Sequence, residues 1–112
     1  MQNGNYSRNQ RIYVDSILQA NKDKSFVKRI FERSKYPTIK NNDGTFSTHK
    51  MAWGEADGKY YVFPTILFDG KGLQQFEPQD AFKQTMKTNN FIEFKTSKEA
   101  DWFSKNYKLI WK

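Results

Sequence analysis

The sequence predicts an α+β fold. Three observations carry that expectation. Apolar residues fall at helical spacing before residue 35 and after residue 77, and a strand-like stretch centred on Asp57-Gly58 lies between them. Aromatic residues make up 17% of the 112-residue chain, enough to build a core and to argue against wholesale disorder.

Residues 1–10 are polar and aperiodic and are expected to form a flexible arm, leaving 11–112 as a single α+β domain. From Arg11 to Ala20, Tyr13, Val14, Ile17 and Leu18 fall on one helical face. Asn21 and Asp23 supply a break or an N-cap. A second helix is expected from Lys24 to Ser34. Phe26, Val27, Ile30 and Phe31 face inward, and Lys28, Arg29, Glu32 and Arg33 lie on the opposite face. Tyr36-Pro37 ends it, because proline disfavours helical geometry in the residue before it.

Asn41-Asn42-Asp43-Gly44 is a turn signal. Two strand-like runs then flank Asp57-Gly58, which marks a hairpin. Two registers compete. A two-residue turn pairs Ala56 with Lys59 and Trp53 with Val62. A type I turn with a bulge at Gly58 pairs Glu55 with Lys59, Trp53 with Tyr61 and Met51 with Phe63. The second is preferred, since it sets opposite charges across from each other at the turn and gathers large apolar groups on one face. Pro64 belongs at a strand end or edge.

Asp69-Gly70-Lys71-Gly72 is a further turn. Pro78 opens a helix running to about Lys87, with Ala81, Phe82, Thr85 and Met86 as its inner stripe. Asn89-Asn90 stops it. Phe91–Phe94 is a short strand. Thr96-Ser97-Lys98-Glu99 reads as a capping box for a last helix carrying Ala100, Phe103 and Tyr107 on one face.

Composition narrows the chemistry. The chain has no Cys and one His, which removes disulfides, thiolate nucleophiles and the usual zinc ligand sets. No cofactor or metal is expected. No apolar run approaches the length of a membrane span, so membrane insertion is not expected. The polar residues from Met1 to Asn5 carry no sign of a secretory leader. The Asp-Gly pairs at 43, 57 and 69 lack the alternating oxygen ligands of a calcium loop and read as turns. His49 and Glu55 would stand about 20 Å apart along one strand, too far to act as a pair. His49 therefore reads as a structural group, and catalytic residues are expected to be none.

Charge is uneven. Residues 1–40 hold nine basic and three acidic residues, a balance of +6 within a formal net charge of +7, and all four Arg lie there. Such a region suits nucleic acid or an acidic surface, and equally a solvated Lys-rich exterior. Lys24, Lys28, Arg29 and Lys35 are the candidate nucleic-acid contacts. His49, Trp53, Glu55, Asp57 and Tyr61, on the hairpin, are the candidate protein-binding residues.

The run from Ser47 to Lys59, followed by Phe63-Pro64-Thr65-Ile66, resembles a small domain of tailed-phage virion-associated and large polyvalent proteins. The flanks Asn21–Ile30, Asp80-Ala81-Phe82 and Ala100–Tyr107 share the likeness, which covers residues 12–111. Trp53 departs from the small residue expected at its position. The resemblance brings no established activity or catalytic residues with it. It implies a phage accessory protein without catalytic activity, a virion-associated structural or ejected module that binds a phage or host protein. The alternative is an intracellular factor in the host cytoplasm that binds nucleic acid or a host protein during infection. A small cell-wall hydrolase is the third reading. The sequence sets no oligomeric state.

Overall fold

A computed structural model describes residues 2–111. Helix α1 spans Gln2–Ala20. The start expected at Arg11 therefore lies inside the helix, which also takes in residues 2–10 of the segment read as a flexible arm. Val14 and Leu18 are fully buried, and Ile17 packs beside them. Tyr13 turns partly outward, meeting Trp102 edge-on at 5.6 Å between ring centroids. The Asn21 side-chain amide donates to Ile17 O at 2.8 Å and caps the end of α1.

Helix α2 spans Ser25–Phe31, shorter than expected. Glu32 leaves helical geometry at φ −116°, and Arg33–Lys35 continue as a 3-10 turn. Phe26, Val27 and Ile30 are buried as their spacing requires, but Phe31, expected on the same inward face, is the last residue of the shortened helix and is 39% exposed. Arg29 is the exception to the predicted polar face: it is buried, at 3% exposure. Spacing explains the correction. Arg29 lies three residues after Phe26 and beside Ile30, so it flanks the same stripe.

Two small antiparallel pairs and one three-stranded sheet follow. Strands β1 (Ile39–Lys40) and β2 (Phe46–Ser47) pair across the Asn41–Thr45 turn. The main sheet has the order β3 (Met51–Ala56), β4 (Lys59–Pro64), β7 (Ile92–Phe94), all antiparallel. Strands β5 (Ile66–Phe68) and β6 (Leu73–Gln75) form a separate hairpin. Helix α3 (Pro78–Lys87) precedes β7, and α4 (Ser97–Asn106) follows it. A 3-10 segment, Tyr107–Trp111, closes the described chain. The architecture is α+β.

The β3–β4 hairpin overturns the preferred register. Ala56 faces Lys59, Trp53 faces Val62 and Met51 faces Pro64. Asp57 (φ 54°) and Gly58 (φ 77°) both adopt positive φ, the geometry of a type I′ turn. That turn matches the right-handed twist of the strands. The rejected register offered an exposed Glu55–Lys59 pair, worth only about 0.2–1 kcal/mol. Lys59 instead reaches Glu93 on β7 at 3.9 Å.

The one-residue difference moves whole side-chain sets between faces. Met51, Trp53, Tyr60 and Val62 share one face with Ile92 and Phe94, and they meet α1, α2 and α4 in the main core. Tyr61 and Phe63 lie on the other face under α3, where Phe82 sits 5.1 Å from the Phe63 ring. Gly54 lies on this same face beside the Phe82 ring.

The helix ends follow local rules. Pro78 opens α3, and Asn89 just beyond its end takes a left-handed conformation at φ 56°. Thr96 Oγ1 accepts from the Glu99 amide at 3.1 Å and caps α4. The Glu99 carboxylate takes the Thr96 hydroxyl at 2.9 Å, so one half of the predicted reciprocal box is replaced by a side-chain contact. The start of α2 is capped from far away: Asn90 Oδ1 accepts from the Phe26 amide at 3.2 Å.

Candidate functional site

The hairpin residues singled out for protein binding do not form one surface. Glu55 and Asp57 are exposed near and at the turn, whereas Tyr61 is buried against Phe91, 4.8 Å between ring centroids. Trp53 is half-buried, and its indole N–H donates to Asp101 Oδ1 at 3.1 Å. That bond joins β3 to α4.

His49 is buried, at 2% exposure. Its Nδ1 lies 2.8 Å from Thr48 Oγ1, and its ring stands 5.4 Å from that of Trp111. Burial lowers its pKa to about 3, and the charges of Arg29, Lys108 and Arg33 push the same way against a weak pull from the Phe26 carbonyl. The imidazole is therefore neutral near pH 7. A general acid or base works best with a pKa close to the operating pH, which this ring does not have. Among the described residues its Nε2 and the Tyr107 hydroxyl are both buried without a partner. Burial also raises the Tyr107 pKa, against the opposing pull of Arg29.

The basic residues singled out for nucleic acid do not all face outward. Lys28 and Lys35 are exposed, and Lys35 lies 3.9 Å from Glu32. The Lys24 ammonium sits over the Phe91 ring at 5.3 Å. Arg29 points inward, donating to Thr48 O at 3.0 Å and Ile66 O at 2.6 Å.

A different group of residues converges. The 3-10 turn after α2, strand β2 and the C-terminal 3-10 segment enclose a cleft of about 610 Å3. The Arg33 guanidinium lies over the Trp111 ring at 4.1 Å from its centroid. Trp111 is fixed in turn by its indole N–H, which donates to Ile30 O at 2.8 Å. Lys108 adds a second cation, and Ser47 and Thr48 contribute side chains to the wall. Phe46, 65% exposed, is the most exposed large apolar side chain among the described residues. Among the described residues no carboxylate lines this cleft. Arg33, Phe46, Lys108 and Trp111 escape sequence reasoning because the chain brings them together over long separations. The one local hint is an aromatic at the end of a basic-apolar tail, Lys108-Leu109-Ile110-Trp111.

Among the described residues no cluster of three His, Asp or Glu side chains comes together as a metal site. No described helix is long and apolar enough to cross a membrane. No family model, curated protein or solved structure matches the chain.

Proposed function

We propose that the chain is a non-enzymatic binding module, a phage accessory protein carried in the virion as a structural or ejected component, whose contact face is the Arg33–Trp111 cleft. The phage setting rests on the sequence resemblance. The observation supporting a contact face is the cleft itself, where an anchored Trp, a stacked Arg and an exposed Phe lie beside Lys108, with no carboxylate in the wall among the described residues. Trp and Arg dominate the energetics of protein contact surfaces, and Phe is enriched there. The complementary partner is an acidic protein segment with an apolar group for Phe46.

Mass spectrometry of purified particles, scaled to the major capsid protein, tests the setting. A defined copy number per particle that falls sharply in an Arg33→Glu/Phe46→Ala double variant supports the proposal. Absence from particles overturns it.

The Arg33–Trp111 stack also favours a second reading, an intracellular factor binding single-stranded nucleic acid, with a base on the aromatic platform and Lys108 on phosphate. That reading requires affinity that drops steeply with salt, with a shallower salt slope in Lys108→Ala. Salt-insensitive binding rejects it.

A further inference from the structure

Arg29 carries a charge that the described fold does not neutralise. The ion pairs among the described residues are Lys35–Glu32, Lys59–Glu93 and Lys105–Asp101, all at the surface, and none includes Arg29. A guanidinium has five N–H donors and no acceptor. Among the described residues Arg29 makes two bonds, to the carbonyls of Thr48 and Ile66, which leaves donors without a protein partner. Burying a charge is costly unless it is both paired and hydrogen-bonded, and carbonyl dipoles meet only the second condition.

Arg29 also lines a cavity of about 360 Å3 bordered by α2, β5, β6 and α3, separate from the Arg33–Trp111 cleft. Asn90, only 8% exposed, lines the same cavity. Its Oδ1 is committed to the Phe26 amide, which leaves Nδ2 as its free end. Among the described residues Nδ2 has no protein partner. Ser25, Gln74 and Gln84 add neutral side chains able to donate. Asp69 is the one carboxylate in the wall among the described residues. It is exposed, and its Oδ1 already accepts from the Lys71 and Gly72 amides at 2.9 Å each.

We propose that this cavity binds a small ligand through an oxyanion, a carboxylate or phosphate group seated on Arg29 and Asn90. The planar guanidinium suits bidentate contact with either group. The volume lies at the lower end of the range for small-molecule sites. An oxyanion supplies the counter-charge that Arg29 lacks and an acceptor for the Asn90 amide.

The test uses the full chain, titrated with inorganic phosphate and, separately, with acetate, against sodium chloride at matched ionic strength. The readouts are the 15N-resolved Arg29 Nε–H and Asn90 side-chain amide resonances. Saturable shifts with phosphate or acetate but not chloride are expected, and the arm that saturates at lower concentration identifies the oxyanion. Arg29→Gln risks unfolding the protein, so Gln84→Glu, an exposed change at the rim, is the companion variant. It should weaken the titration about twofold to fivefold through one added surface charge. Shifts that follow ionic strength alone, or that are unchanged in Gln84→Glu, overturn the site and leave Arg29 as a pin between the Thr48 and Ile66 carbonyls.

Discussion

Lowering the pH from 7 to 5 should destabilise the fold by about 2 kcal/mol through His49 alone. The ring is buried, and its pKa is lowered from 6.5 to about 3 by desolvation first and by Arg29, Lys108 and Arg33 second. The folded pKa lies below the unfolded one. Between those two values the unfolded chain binds a proton that the folded chain refuses, so the stability is fully present above about pH 6.5 and falls as the pH drops toward 3. The limiting slope is about 1.4 kcal/mol per pH unit, and integration from 7 to 5 gives about 2 kcal/mol.

The window is clean because the chain has one His. Asp43 is held below its ordinary 3.8 chiefly by Thr45, Asp69 by the Gly72 and Lys71 amides, and Asp101 by Lys105 and then Trp53. Their stabilisation is present above the unfolded value and is lost as pH falls through the folded one, below the window. Urea unfolding followed by circular dichroism at pH 7, 6 and 5, with an unchanged m-value, measures the loss. His49→Gln cannot titrate, so its stability, whatever its level, should be flat across the same interval. The His49 ring resonances of the unsubstituted protein should not move between pH 7 and 5. Equal stability at pH 7 and 5, a ring titrating near 6, or the same slope in His49→Gln would refute the reasoning.

The remaining predictions concern single contacts. Trp111→Phe keeps an aromatic platform but removes the donor to Ile30 O, and should cost about 1 kcal/mol. Trp111→Ala removes the stack on Arg33 as well and should cost about 3 kcal/mol, so equal losses in urea unfolding would count against the anchoring role. Gly58→Ala places a Cβ at φ 77° and should cost about 1–2 kcal/mol, with no loss arguing against the type I′ turn. Thr96→Ala should cost about 1 kcal/mol by removing the α4 cap, whereas Thr96→Ser should restore most of it.

Features legible in the sequence are those that a short window determines. The inner stripes of α3 and α4 follow from spacing, as do Phe26, Val27 and Ile30 of α2 (though not Phe31), the Pro78 start and the Thr96 cap. The hairpin at Asp57-Gly58 was legible, but its register was not. Charge pairing and backbone twist point to different answers there, and only their magnitudes separate them. The twist acts on every residue of both strands, while the charge pair lies in water at the tip. The error at Arg29 is of another kind. A basic residue on an amphipathic helix is assigned to solvent by residue type, although its position three after Phe26 sends it inward.

The candidate sites failed to appear in the sequence for the same reason that they exist in the fold. Arg33 and Trp111 lie 78 positions apart in the sequence (33 and 111), and Phe46 joins them from a two-residue strand with no pattern of its own. Arg29 and Asn90 meet one cavity from α2 and from the loop before β7. No local window contains either set. What the sequence does carry is the chemical imbalance behind them, with all four Arg in the first 40 residues. Folding divides the two from α2 onward. Arg33 stays at the surface and stacks on an aromatic, where its charge remains hydrated and costs little. Arg29 enters the interior, where the same charge is expensive to keep without a counter-ion. Four residues, about one helical turn, thus separate a cation that can recruit a partner from one whose burial calls for an anion.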